Sequence, residues 1–153
     1  DRTTGDAPHL DLDEEVAVQK ATRDLIKSGI VQHAHDVSDG GLAVCLAEST
    51  IHSDDLGLDV DLPDAGDARL DAVLFGEAQS RVVLSVRPDD VERLQTVVAN
   101  HDAVQARRLG SVTTEGVRVT IEDETVIEAD TDTLTTPYTT AIPEAVQGPQ
   151  GET

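Results

Sequence analysis

At 153 residues the chain has length for one ordinary hydrophobic core, so one domain with frayed ends is expected. Acidic residues outnumber basic ones 31 to 11, a net charge of −20, and that field opposes nucleic acid and anionic membranes, which want Lys and Arg clusters. No apolar run approaches the roughly 18 residues of a membrane span, and the opening DRTTGDAP lacks the basic and apolar regions of a signal peptide, so a soluble cytoplasmic protein is expected.

Only Lys20 and Lys27 are lysines, and the aromatics are one Phe and one Tyr. High acid with little Lys points to a salt-adapted protein, haloarchaeal in style, whose carboxylates cover the surface. The rival, a disordered acidic chain, is opposed by periodic apolar segments. The single cysteine, Cys45, lies in LAVCLAE and reads as a small buried hydrophobe; no disulfide can form within the chain.

Residues 1–9 read as a polar linker. From Asp11, Val16, Ala17, Ala21, Leu25 and Ile26 recur at helical spacing, with acids in the first turn and Lys27 and Gly29 at the end, which predicts a helix. Ile30 to Ala34 predicts a short strand, Asp36 to Gly41 a turn, and Leu42 to Thr50 a buried helix. LGLDVDLP, residues 56–63, alternates as a strand ended by Pro63. Asp64 to Asp71 reads as a loop or short helix, and SRVVLSVRP, residues 80–88, as a second strand.

Val91, Leu94, Val97 and Val98 give DDVERLQTVVAN, Asp89 to Asn100, one apolar helical face. QARRLGSVT and GVRVTIEDETVIEA predict two or three further strands with a tight acidic turn around Asp123. The segment from Pro143, PEAVQGPQGET, reads as a disordered tail over 143–153. This order predicts an α/β fold, a mixed sheet with helices packed on it.

HAHDVSDGGLAVCLAEST, His33 to Thr50, concentrates the chemistry. A strand, an Asp39-Gly40-Gly41 turn and a helix would present backbone N–H groups at the positive end of a dipole, suited to phosphate. The reading that spacing alone favours is a cap, Ser38 or Asp39 accepting from the first-turn amides, with the glycines permitting close approach. His33 and His35 are read as facing opposite ways from the strand, which disfavours shared zinc ligation. Asp36, a hard oxygen ligand at a strand end, is the better metal candidate, for magnesium bridging a phosphate. A second polar knot, LFGEAQSR, holds Glu77, Gln79 and Arg81, which would bind a polar ligand or form a Glu77–Arg81 ion pair of little energetic weight. No GxxxxGK[ST] phosphate loop occurs.

HDVSDGGLAVCLAEST followed by LFGEAQSRVVLSV resembles the last domain of phosphoribosylformylglycinamidine synthase, over roughly residues 10–142. The resemblance implies the C-terminal domain fold of aminoimidazole ribonucleotide synthetase-like proteins. It implies a part in ATP-dependent amidation of formylglycinamide ribonucleotide in purine biosynthesis, with ATP or ADP and magnesium in the complete enzyme. The partners implied are the remaining synthetase domains, a glutaminase subunit and a small accessory subunit. The family's catalytic histidine lies in domains outside this segment, so no catalytic residue is assigned and the chain alone is expected to be inactive.

By the family's internal duplication, Ser38, Asp39, Gly40 and Gly41 correspond to a nucleotide-phosphate turn and Asp36 to a magnesium ligand. Glu77, Gln79 and Arg81 then line a pseudo-site, where Ala78 departs from the substrate-binding pattern. The alternative is a non-catalytic interaction or regulatory module that keeps the fold. The opening DRTTGDAP, without a Met, favours a piece of a longer chain.

Overall fold

The computed structural model describes residues 8–53, 56–64, 66–114 and 116–147. The described residues gather into two compact units, one within residues 1–46 and 65–108 and the other within residues 47–64 and 109–153.

The first unit opens with helix α1, Leu12–Lys27. Asp11 caps it, its carboxylate accepting the backbone N–H of Asp13 at 2.9 Å and of Glu14 at 3.2 Å. Gly29, at φ +76°, follows the last turn. Strand β1, Val31–Asp36, runs antiparallel to β3, Val82–Val86, with Ala34 opposite Leu84 and Asp36 opposite Val82. That pairing carries β1 two residues beyond the predicted Ala34. Ser80, at φ +61°, and the 3-10 turn Pro88–Asp90 trim β3 inside its predicted span.

Helix α2, Gly41–Ile51, starts one residue early and crosses into the second unit at Ala47. A short helix α3 falls at Leu70–Phe75, later than the predicted loop or helix, and α4 occupies Val91–Val98. Leu25, Ile30 and Val98 form the buried centre, with Leu84, Val86 and Leu94 packed against them. Burial of each such side chain contributes about 1.5–3 kcal/mol.

The second unit is a four-stranded mixed sheet of order β4-β2-β5-β6: β4 Gly110–Thr113, β2 Gly57–Leu62, β5 Val117–Ile121 and β6 Glu124–Ala129. Strands β2 and β5 are parallel; the other pairs are antiparallel. Val60 lies opposite Val119, both almost fully buried, at the centre of this sheet. The expected acidic turn is present, Glu122 and Asp123 both in left-handed conformations (φ +50° and +65°) as a two-residue hairpin of primed type requires.

Helix α5, Thr131–Gln147, is the element the sequence hides. It includes Pro137 and Pro143, and so extends past the point where a disordered tail is expected; residues 148–153 lie outside the described residues. Asp130 starts it by accepting the Thr133 N–H at 2.7 Å, and bonds from the Thr133 side chain and backbone hold its carboxyl below the usual carboxylate range. The hydroxyls of Thr135 and Thr139 donate to carbonyls four residues back, Thr131 and Thr135, at 2.8 and 2.9 Å.

Candidate functional site

Strand β1 ends at Asp36, and the chain turns through Val37, Ser38, Asp39 and Gly40 into α2. Across the β1–β3 ladder, the Val37 N–H donates to the Arg81 carbonyl at 3.0 Å, which fixes the GEAQSR segment beside the turn. Together they line a cleft of about 500 Å³ that takes in Asp36, Ser38, Asp39, Glu77, Gln79 and Arg81. Two motifs some forty residues apart in the sequence thus converge, by pairing of the strands that flank them. Gly40 and Gly41 form the turn at its edge.

The turn is not capped as the sequence suggests. Gly41 N–H donates to the Ser38 carbonyl at 3.0 Å, while Gly40 N–H donates to the Glu77 carboxylate Oε1 at 3.0 Å. Neither the Ser38 nor the Asp39 side chain makes a first-turn cap among the described residues. A carboxylate from the other motif occupies the place of an anion.

The glycines have separate reasons. Both sit in left-handed conformations, Gly40 at φ +78° and Gly41 at φ +69°. A Cβ on Gly41 would lie 2.6 Å from the Phe75 carbonyl carbon, so the helix start rests directly on the end of α3.

The Glu77–Arg81 ion pair does not form. Arg81 folds back on its own loop, Nε donating to the Ala78 carbonyl at 3.0 Å and Nη2 to the Gly76 carbonyl at 2.5 Å. Partial burial lowers the pKa of this guanidinium, opposed by the field of Cys45. Gln79 donates to the Glu77 carbonyl at 3.2 Å. Carbonyls, rather than an opposite charge, satisfy the loop's one cation.

Helix α1 supplies what sequence reasoning missed. Glu15 and Gln19 line the same cleft, and Glu15 Oε2 accepts the Ser80 hydroxyl at 2.7 Å while Oε1 accepts Gln19 Nε2 at 2.7 Å. These two bonds, Gln19 the stronger, hold the Glu15 carboxyl below its ordinary value against a smaller effect of burial. The signal available in sequence was the i,i+4 spacing of Glu15 and Gln19; nothing local announces Ser80.

His33 and His35 share one face of β1, since residues two apart in a strand point the same way, which corrects the expectation of opposite faces. Their rings lie 6.2 Å apart, tilted by 42°. Among the described residues no three His, Cys, Asp or Glu side chains converge on a metal position. Asp36 is a single exposed carboxylate, its side chain 76% accessible. It therefore fits magnesium only in the mode where phosphates and waters complete the shell. Cys45 is 2% exposed, as a buried hydrophobe should be.

The sequence model described as AIR synthase related protein, C-terminal domain, matches residues 1–122. The chain belongs to this family. Within it, the phosphoribosylformylglycinamidine synthase subunit PurL of Salinibacter ruber is 66% identical over 146 residues, 95% of this chain and 19% of that protein. The same subunit of Synechocystis is 41% identical over 141 residues, 90% of this chain and 18% of that protein. The chain thus spans about a fifth of the curated relatives it matches.

Among solved structures, PurLQS from Thermotoga maritima matches with a TM-score of 0.72 and 22% identity over 82% of this chain and 22% of that chain. T. maritima PurL complexed with ATP matches at 0.68 and 22%, covering 78% of this chain and 21% of that one. These likenesses establish an AIR-synthase-like C-terminal fold. No helix among the described residues is long and apolar enough to cross a membrane.

Proposed function

We propose that this chain serves as an AIR-synthase-like C-terminal domain of a phosphoribosylformylglycinamidine synthase. The whole enzyme converts formylglycinamide ribonucleotide to formylglycinamidine ribonucleotide, using ATP and ammonia taken from glutamine. The observation that carries the proposal is the 66% identity with the Salinibacter ruber subunit over nearly the whole chain. Alone the chain is inactive, because its cleft offers carboxylates and a guanidinium already held by carbonyls.

In the complete enzyme ATP or ADP with magnesium is the cofactor. Asp36 would hold the metal, with Ser38, Asp39, Gly40 and Gly41 facing the phosphates and Glu77, Gln79 and Arg81 lining the same cleft. Because Glu77 already satisfies the Gly40 amide, a phosphate there requires the GEAQSR loop to draw back. The same contact favours the second reading, a module that keeps the fold and contributes no ligand site.

The expected partners are the other synthetase domains, a glutaminase subunit and a small accessory subunit, in the cytoplasm. The net charge of −20 supports a salt-adapted surface.

A chimera tests the proposal. The matching segment of the Salinibacter ruber subunit is replaced by this chain, and formation of formylglycinamidine ribonucleotide is assayed with ammonia as nitrogen donor. An active chimera beside an inactive isolated chain is the expected result; a folded chimera without activity would overturn it.

A further inference from the structure

Helix α5 carries an apolar stripe left open to solvent. Tyr138, Ile142 and Val146 follow one another at four-residue spacing, on one helical face, and are 49%, 74% and 80% exposed. The Tyr138 ring packs edge-on against His52, with centroids 5.5 Å apart, which orients one end of the stripe. Asp132 and Glu144 are the only charged residues in this 17-residue helix, on a chain whose surface is otherwise rich in carboxylates. Exposed apolar positions in a charge-depleted surround are the composition of an interface centre rather than of a solvated face.

Two further observations select the occupant. The domain family's sequence model stops at residue 122, yet the match to the Salinibacter ruber PurL subunit covers 95% of the chain, so most of α5 is shared with synthetase subunits outside the common domain. The chain amounts to only 19% of that subunit, which leaves a long polypeptide to supply the complementary surface. A second copy of this chain, bringing another net charge of −20, is disfavoured by repulsion.

We infer that the Tyr138, Ile142 and Val146 face docks into an apolar groove elsewhere in a synthetase polypeptide. The inference rests on the function proposed above and adds the surface through which the domain is held.

Ile142→Cys makes the test specific, because the native Cys45 is buried. Maleimide labelling at position 142 is followed by peptide-resolved mass spectrometry in the isolated chain and in the chimera, with light scattering on both. Fast labelling of the isolated monomer is expected. In the chimera labelling should slow about tenfold or more, as for a site reached only by local opening.

Equal labelling in an active chimera would overturn the docking and leave the proposed function standing, whereas a folded but inactive chimera that keeps the native Ile142 would overturn both. Protection already present in the isolated chain, with a dimeric mass or as a monomer, would assign the stripe to a second copy or to the chain itself and overturn the inference. As a second variant, Ile142→Asp should lower chimera activity while leaving the melting temperature of the isolated chain unchanged.

Discussion

Glu77 accepts the backbone N–H of Gly40 at 3.0 Å across 37 residues of chain. This bond joins the two motifs of the cleft and replaces a local helix cap. Glu77→Ala should therefore cost about 1.5 kcal/mol, the lower end of the range for a hydrogen bond to a charged group because this one is exposed. Glu77→Gln keeps an acceptor and should cost less. Urea unfolding with unchanged slope reads both; identical midpoints for wild type and Glu77→Ala would mean that the bond contributes nothing in solution.

The same bond predicts how the isolated chain treats nucleotide. With Gly40 and Gly41 amides both engaged and no three ligands converging on a metal position among the described residues, magnesium ADP titrated calorimetrically into the chain in molar potassium chloride should show no binding. If it binds and Asp36→Ala abolishes the heat, the turn is a phosphate site despite Glu77.

Glu15 gives a pH signature. Its folded pKa is depressed, first by Gln19 and then by Ser80, below an ordinary value of 4.5. A depressed carboxyl contributes stability that is present above that ordinary value and lost as pH falls through the folded one. Ser80→Ala leaves only the Gln19 bond, so the folded pKa moves back toward the ordinary value: the acid-side loss should be smaller and complete at higher pH, and the variant's deficit should appear at pH 7, small for so exposed a group. Ser80→Gly should shift the acid side equally but be more stable than Ser80→Ala at neutral pH, since it relieves the φ of +61°. Superimposable acid transitions for wild type and Ser80→Ala would exclude the Glu15–Ser80 bond.

Gly41 and Gly29 separate backbone conformation from space. Both have left-handed φ, +69° and +76°, but a Cβ on Gly29 meets nothing within 4 Å, while one on Gly41 meets Phe75 backbone at 2.6 and 2.8 Å. Gly29→Ala should cost about 1–2 kcal/mol, the left-handed penalty alone. Gly41→Ala adds a clash with backbone that cannot rotate away, so its cost should be clearly larger. Equal losses in thermal unfolding would show that α3 and α2 separate freely.

What the sequence discloses follows the range of the interactions. Helix α1 with its first-turn acids, the alternation of β2 and the acidic turn at Asp123 are local, and all are legible. Helix α5 is not, because Thr and Pro are poor helix formers and the compensating Asp130 cap is visible only once the helix exists. In the cleft, residue types pointed to both motifs. Their meeting depends on the β1–β3 ladder, and the choice of Glu77 over Ser38 or Asp39 as cap depends on a contact that no spacing rule contains. Glu15 was hidden by its own plausibility as a first-turn acid.

Charge supplies the last prediction. With 31 acidic and 11 basic residues, and with cations such as Arg81 already committed to carbonyls, folding concentrates carboxylates that salt must screen. The screening length falls from about 10 Å at 0.1 M to about 3 Å at 1 M, so the unfolding temperature at pH 7 should rise by several degrees over that range of potassium chloride. Salt also strengthens apolar burial in general, and pH separates the two effects. Near the isoelectric point of about 4.2 the net charge vanishes and the screening contribution should vanish with it. A slope of unfolding temperature against salt that flattens at that pH supports charge repulsion as the cause. An unchanged slope assigns the effect to apolar burial, and an unfolding temperature indifferent to salt at pH 7 removes the argument for salt adaptation.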